Sequence, residues 1–404
     1  MVVAILSDAP TLTTGFARTT RHIAGALTRR GHQVACFGLK ATTSDVHASA
    51  PDYLIWPADR GGHWTDTLQA FFRAVQPSVL LLNMDAYNAV ECVESCRAVG
   101  WDGPIVSYVC FDGLPVGCRY LDNLRSCDAV WTTSATGADY LRQNGITVGG
   151  VAPPGVDARI FQPRPHIGRL RERLGLAGTT LVGVFATNTE RKQVARVLAA
   201  FPTVIAELDE RDIRLYLHCR WDGFWQLDEL AAALGIDKHV LFASLQPFDE
   251  WRGVPTSATR EPGPSKVPVR ARGAFPRGLS YVDRMACCDV IVNVPHCGDV
   301  EQVILEAQSC GVPLLHTDDQ GVMAEALGAG GLRLAACDVG VGRAGQPLHH
   351  VAPADIAAGV VSVMQDAALR GDLRAAGIAN AATYGWDALE SAACAMVAGL
   401  DGTC

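Results

Sequence analysis

Leu181-Val182-Gly183-Val184-Phe185-Ala186-Thr187-Asn188-Thr189-Glu190-Arg191-Lys192-Gln193 reads as a buried strand running through a polar turn into a helix. A short unbroken apolar run suits a strand covered on both faces, as in a parallel sheet. From Gln193 to Leu208 apolar residues recur at helical spacing. A strand end that opens a helix gathers free N–H groups at one spot, and adjacent Arg191 and Lys192 add two fixed cations there. That turn is a seat for a diphosphate, although an Arg-Lys pair at a helix start is as often only solvated.

The same pattern repeats in both directions along the chain. Strands are predicted at Val2–Leu6, Gln33–Gly38, Val79–Leu82, Ile105–Val109 and Ala129–Thr133, with helices at Thr19–Arg30, Thr65–Val75, Val90–Gly100 and Gly137–Asn144 between them. Beyond Phe185 come a helix at Gln193–Leu208, strands Arg214–His218 and Val240–Ala243 around a helix at Leu227–Gly235, and then strands Val290–Val294 and Leu314–Thr317 flanking a helix at Val300–Cys310. Helices at Pro353–Gly371 and Trp386–Leu400 close the chain. Strands alternating with helices give an α/β protein whose halves are each a doubly wound parallel sheet. The Pro- and Gly-rich stretch Val151–Pro163 reads as the linker between them. Ligands of such sheets bind beyond the carboxyl ends of the strands, which puts the site in a cleft between the two halves.

Composition agrees with a globular enzyme. The 404 residues are 49% hydrophobic and 19% charged, and 34 Lys+Arg against 42 Asp+Glu leave a net charge of −8. Disorder and a wholly basic nucleic-acid coat are excluded. The 14 cysteines are scattered, and no pair has C-x-x-C spacing. Most lie in apolar runs such as Ala286-Cys287-Cys288, where a reduced thiol acts as a small hydrophobe. No apolar stretch approaches the ~20 residues that span a bilayer. The chain enters strand Val2–Leu6 directly, without a basic, apolar leader. The expectation is a cytoplasmic protein with no stable membrane insertion.

Two further stretches carry chemistry. After the first strand, Ser7-Asp8-Ala9-Pro10-Thr11-Leu12-Thr13-Thr14-Gly15-Phe16 leads into a helix, and Gly15 allows a ligand close to the backbone. The other is Cys297-Gly298-Asp299-Val300-Glu301-Gln302-Val303-Ile304-Leu305-Glu306-Ala307-Gln308-Ser309-Cys310-Gly311-Val312-Pro313. Glu306 falls among Ile304, Leu305 and Ala307, where a carboxylate is costly unless partnered, and ribose hydroxyls are suitable partners.

Taken together these segments resemble the GT-B-fold retaining glycosyltransferases of the family 4 type. Pro154-Gly155-Val156-Asp157, Phe161 and Pro163 are similar to that family's interdomain linker, and Leu305-Glu306-Ala307-x-x-Cys310-Gly311-x-Pro313 to its L-E-A-x-x-C-G-x-P signature. Asn188-x-x-Arg191-Lys192, Thr14-Gly15-Phe16-Ala17-Arg18 and Phe111-Asp112-Gly113-x-Pro115 match further segments in the same order, ending with Tyr384-Gly385-Trp386-Asp387. The resemblance implies two Rossmann-like domains. An acceptor-side domain would cover 1–160 and a nucleotide-sugar-binding domain 161–385. The helix in 386–404 would pack back on the first domain.

It also implies the chemistry: transfer of a sugar from a nucleoside-diphosphate sugar to an acceptor hydroxyl, with retention and with neither metal nor cofactor. Arg191 and Lys192 would neutralise the departing diphosphate, and Glu306 would bind the ribose. Gly15, Phe16, Asn188, Gly298, Asp299, Val300 and Glu301 would complete the donor site. Asp112 is the candidate to orient the acceptor or accept its proton. The family's first glutamate, eight residues before Glu306, is here Gly298, so either Asp299 or Glu301 supplies its contact to the sugar or that contact is lost.

For the acceptor, the stretch from Trp251 to Leu279 holds six cations (Arg252, Arg260, Lys266, Arg270, Arg272, Arg277) against Glu261 alone. A long irregular loop is usually functional or disordered. Arg252, Lys266, Arg270 and Arg272 are the candidate contacts to an anionic acceptor. One alternative is therefore a DNA glycosyltransferase acting on a hydroxymethylated base. Two others are a sugar-nucleotide epimerase and a catalytically degenerate sugar-nucleotide binder, the latter motivated by Gly298.

Overall fold

The computed structural model describes residues 1–40, 52–58, 64–208, 212–243, 273–274, 279–398 and 400. In the first half, strands β1 (Val2–Asp8), β2 (Gln33–Leu39), β3 (Leu54–Pro57), β4 (Val79–Asp85), β5 (Ile105–Cys110), β6 (Ala129–Thr132) and β7 (Gly150–Val151) form one sheet in the order β3-β2-β1-β4-β5-β6-β7. In the second half, β8 (Thr179–Phe185), β9 (Asp212–His218), β10 (Val240–Phe242), β11 (Gly273–Ala274), β12 (Val290–Asn293), β13 (Leu314–Thr317) and β14 (Gly331–Leu334) follow the order β11-β10-β9-β8-β12-β13-β14. Among the described residues every pairing in both sheets is parallel. The expected pair of doubly wound sheets is what the chain forms.

The apolar runs form strands because both faces of each sheet are covered. In β1, Val3 and Ile5 enter one core cluster while Ala4 and Leu6 enter another. In β8, Val182 and Val184 face one cluster while Leu181 and Phe185 face the other. Each sheet starts near its middle and winds outward both ways: β1 lies between β2 and β4, and β8 between β9 and β12. At such a switch point the loops leave the carboxyl ends in opposite directions and open a crevice. The Gly15 and Arg191-Lys192 loops leave β1 and β8 at these two places.

The structure moves several boundaries. The first helix begins at Gly15 and not Thr19, because Thr14 caps it by accepting from the Ala17 N–H. The single helix expected over Pro353–Gly371 is two helices, Pro353–Gln365 and Ala367–Ala381. Asp366 separates them, and its carboxylate caps the second by accepting from Ala368 N and Leu369 N. Val151 belongs to β7, so the linker starts after it. The short helices Cys118–Arg125, Ile167–Arg173 and Val322–Leu327 were not anticipated. Neither was the antiparallel ribbon of β15 (Asp338–Val341) and β16 (Pro347–His350). Each is too short to show a period.

The C-terminal helix Trp386–Val397 returns to the first half, as expected. Trp386, Leu389, Ala393, Met396 and Val397 share a core cluster with Ile23 and Leu27 of the first helix. The His22 ring stacks on Trp386 at 3.9 Å, and its Nδ1 lies 2.8 Å from Glu390 Oε1. The linker passes so close beneath this helix that a Cβ on Gly155 would lie 2.5 Å from the Trp386 backbone nitrogen. Backbone cannot swing aside as a flexible side chain can. Gly155→Ala is therefore expected to destabilise the protein by about 1–3 kcal/mol, read as a lower urea midpoint. A midpoint equal to wild type would show that the linker is not clamped there.

No helix among the described residues is long and apolar enough to cross a membrane. The described cysteines are all free.

Candidate functional site

A cavity of about 1090 Å³ lies between the two halves, lined by residues of both. From the first half come the loop after β1 and the carboxyl ends of β4 and β5; from the second come the loops after β8, β9 and β12. Gly15, Phe16, Asp112, Asn188, Arg191, Lys192, Asp299, Val300, Glu301 and Glu306 all line it, so sequence positions nearly 300 apart converge. Gly298 does not line it, but lies beside the Glu301 and Arg191 side chains that do. The cationic segment that includes Arg252, Lys266, Arg270 and Arg272 lies outside the described residues.

Arg191 and Lys192 sit in a single 3-10 turn, Glu190–Lys192, between β8 and its helix. The turn is anchored by Gln193, held at φ 49°, whose amide donates to Val294 O at 2.8 Å and His349 O at 3.0 Å. Arg191 Nη1 donates to Cys297 O at 2.9 Å and to Glu301 Oε1 at 2.6 Å. Lys192 Nζ pairs with Glu301 Oε2. One buried carboxylate thus bridges the two cations. Burial opposes its ionisation, yet Lys192 and Arg191 hold the Glu301 carboxyl well below the usual range. A Cβ on Gly298 would lie 2.8 Å from Glu301 Oε1 and 3.2 Å from Arg191 Nη1. The glycine is what leaves room for Glu301 on the cation pair.

Burial, and then the charge of Arg191, lower the affinity of Lys192 for its proton; Glu301 only partly offsets them. A lysine so placed sheds its proton at lower pH than a solvated one. The alkaline limb of the kcat/KM profile is therefore expected to begin below the usual lysine value of about 10.4. Lys192→Arg, charged at every accessible pH, should move that limb upward. An unmoved limb would show that Lys192 does not control it.

Glu306 is buried and paired from both sides: Arg18 of the first helix reaches Oε1 across the cleft, and the Tyr281 hydroxyl donates to Oε2 at 2.8 Å. Asp112 Oδ1 stands 3.7 Å from Arg191 Nη1, and burial raises its carboxyl while Arg191 opposes that rise. Burial pushes the Cys297 thiol up to about 12, so it is not a thiolate nucleophile. Among the described residues no group of three or more His, Cys, Asp or Glu side chains is arranged to hold a metal.

Other expected residues have structural tasks. Asn188 pins the loop after β9: its amide donates to Arg220 O and Trp225 O and accepts from Trp225 N. That loop buries Trp221 and exposes Phe224 and Trp225 at the rim of the cleft. Asp299 faces the first half, accepting from Phe111 N and the Thr133 hydroxyl at 2.6 Å each. Arg18, Tyr281 and Asn83 escaped sequence reasoning as site residues. Arg18 lay within a quoted motif. Asn83 shows only as a polar residue ending an apolar run, yet its amide ties the Phe16 carbonyl to Ser7 and Thr20.

Solved structures match this architecture over almost the full chain. HepE from Anabaena, crystallised with UDP, superposes with a TM-score of 0.67 at 14% identity, covering 97% of this chain and 98% of that one. The sucrose-phosphate synthase of Thermosynechococcus elongatus gives 0.69 at 14% identity, with 97% of each chain covered. WaaG, a glycosyltransferase of lipopolysaccharide biosynthesis, gives 0.62 at 15% identity, covering 99% of this chain and 100% of that one.

The fold is GT-B.

No protein-family model matches the sequence, and no curated protein matches it significantly. At such identities the GT-B likeness carries the architecture, and the site itself must carry the chemistry.

Proposed function

We propose that this chain is a glycosyltransferase that moves a sugar, a hexose, from a UDP-type nucleoside-diphosphate sugar to an acceptor hydroxyl, with retention and without a metal, in the manner of the family 4 enzymes. The observation that carries the reading is the Arg191–Lys192 pair, its lysine buried and its arginine half-buried, set at a strand end and opening on the cavity between the halves. HepE, which has this architecture, was crystallised with UDP-glucose as well as with UDP.

When the bond from sugar to phosphate breaks, charge collects on the diphosphate, and stabilising that charge is the protein's main task. Arg191 and Lys192 are held in place by Glu301 before the donor arrives, Lys192 buried and Arg191 half-buried, so little reorganisation accompanies the reaction. With no nucleotide present their counter-ion is Glu301. A bound diphosphate takes over that role, which frees the Glu301 carboxylate for the hydroxyls of the sugar. Glu306 holds the ribose, exchanging Arg18 or Tyr281 for hydroxyl groups. The helix opening at Gly15 and Phe16 faces the phosphates, and Asp112 receives the acceptor hydroxyl from the first half. In this reading residues 1–160 are the acceptor side, residues 161–385 bind the donor, and the helix in 386–404 straps them together. Free thiols throughout the described chain support a cytoplasmic location.

The test is incubation with a panel of nucleotide sugars, following release of free nucleoside diphosphate and the anomeric configuration of the product. UDP release with retained configuration is expected. UDP binding without turnover of any donor would make the protein a sugar-nucleotide binder.

A further inference from the structure

The loop that carries Asp112 follows β5 in the first half, yet it is held in place from the second. Asp299, in the turn after β12, accepts from Phe111 N at 2.6 Å through Oδ2. A Cβ on Gly113, where φ is +99°, would lie 3.4 Å from the side chains of Cys297 and Gln346, so this turn already touches the other half. Gly117 N donates to Ala344 O at 2.8 Å, at the bend of the β15–β16 ribbon. Asp299 Oδ1 also accepts from the Thr133 hydroxyl at 2.6 Å, beyond the end of β6, and from Val300 N at 2.5 Å. One carboxylate, 8% exposed, therefore ties the ends of β5 and β6 to the turn after β12. Beside it Glu325 caps the helix Ala135–Gln143 across the same interface, accepting from Ala135 N at 2.8 Å and Thr136 N at 2.7 Å.

We propose that Asp299 is a positioning residue that couples closure of the cleft to the placement of Asp112 against Arg191. Two of its three donors, Phe111 N and the Thr133 hydroxyl, belong to the first half and reach it only when the halves meet; the third, Val300 N, is its own neighbour. Parting the halves returns the carboxylate and the Phe111 N–H to water, where each is solvated, so the clasp is reversible. Burial pushes the Asp299 carboxyl up to about 7 against the pull of those donors. Because Phe111 immediately precedes Asp112, releasing its N–H lets the Asp112 carboxylate drift from its 3.7 Å approach to Arg191. Of the donor-binding groups, Arg191, Lys192 and Glu306 lie on the second half and keep their places. The proposal rests on the transferase reading, and its test separates the two.

Asp299→Asn keeps the volume, but its amide nitrogen must face either Phe111 N–H or Thr133, so the clasp loses an acceptor. In the full-length protein, amide hydrogen exchange at Phe111 is expected to accelerate roughly tenfold or more. With a working donor, kcat should fall ~10–100-fold while UDP affinity stays within about twofold of wild type. Thr133→Val, which removes one donor without changing size, should act in the same direction but less, and Thr133→Ser should behave as wild type. It also decides the matter if Asp299→Asn fails to fold. Unchanged Phe111 exchange would overturn the clasp. Faster exchange with an unaltered kcat would overturn the positioning role. If the wild-type protein turned over no donor, the transferase reading would fail, while Phe111 exchange would still decide the clasp.

Discussion

Replacing Lys192 by methionine is expected to lower the rate of nucleoside-diphosphate release at saturating donor by ~10²–10³-fold. The ammonium is buried in the wall of the cavity, where a charge acts more strongly on a departing phosphate than it would in water. Stability should change far less. The substitution removes a buried charge together with its own desolvation, and Glu301 keeps Arg191 at 2.6 Å. A loss of about 1 kcal/mol in urea unfolding would be in keeping with this balance. The informative measurement is the pair: turnover collapses and the unfolding curve barely moves. Turnover equal to wild type would remove Lys192 from the phosphate site, and a protein that unfolds would make its role structural.

Glu306→Gln is expected to weaken UDP binding by ~10–100-fold, the equivalent of about 1.4–2.8 kcal/mol. A hydrogen bond to a charged acceptor contributes roughly 1.5–3 kcal/mol, and the amide also presents a donor to Arg18 or to Tyr281. The same variant should bind inorganic pyrophosphate as wild type does, because the cation pair is untouched. Calorimetric titration with the two ligands reads this directly. Equal losses for UDP and pyrophosphate would mean that Glu306 shapes the whole cleft and has no particular contact with the ribose.

Much of this was legible in the sequence, and for identifiable reasons. Strands such as Val2–Leu6 and Leu181–Phe185 are buried on both faces, so the apolar run is itself the signal. The two loops that matter leave central strands at switch points, which is why Gly15 and Arg191 sat beside recognisable strand ends. The break at Asp366 was not legible, because an acidic residue inside an apolar period reads equally as a surface position and as a cap. The ribbon over Asp338–His350 has strands too short for a period, yet it supplies the Ala344 contact to the Asp112 loop. The tasks of Asp299 and Glu301 were the hardest to separate. Two residues apart in one turn, they part company because Asp299 meets Phe111 and Thr133 of the other half, while the space at Gly298 admits Glu301 to Arg191 and Lys192. No pattern within a single segment contains that information, since each partner comes from elsewhere in the chain.

On the proposed function, a nucleoside diphosphate occupies the cleft with its phosphates on Arg191 and Lys192. The most direct measurement is a crystal structure of the full chain with UDP. Expected are the diphosphate within hydrogen-bonding distance of both side chains, Glu301 turned away from at least one of them, and the ribose hydroxyls on Glu306. UDP bound elsewhere, with Glu301 still bridging the two cations, would contradict it.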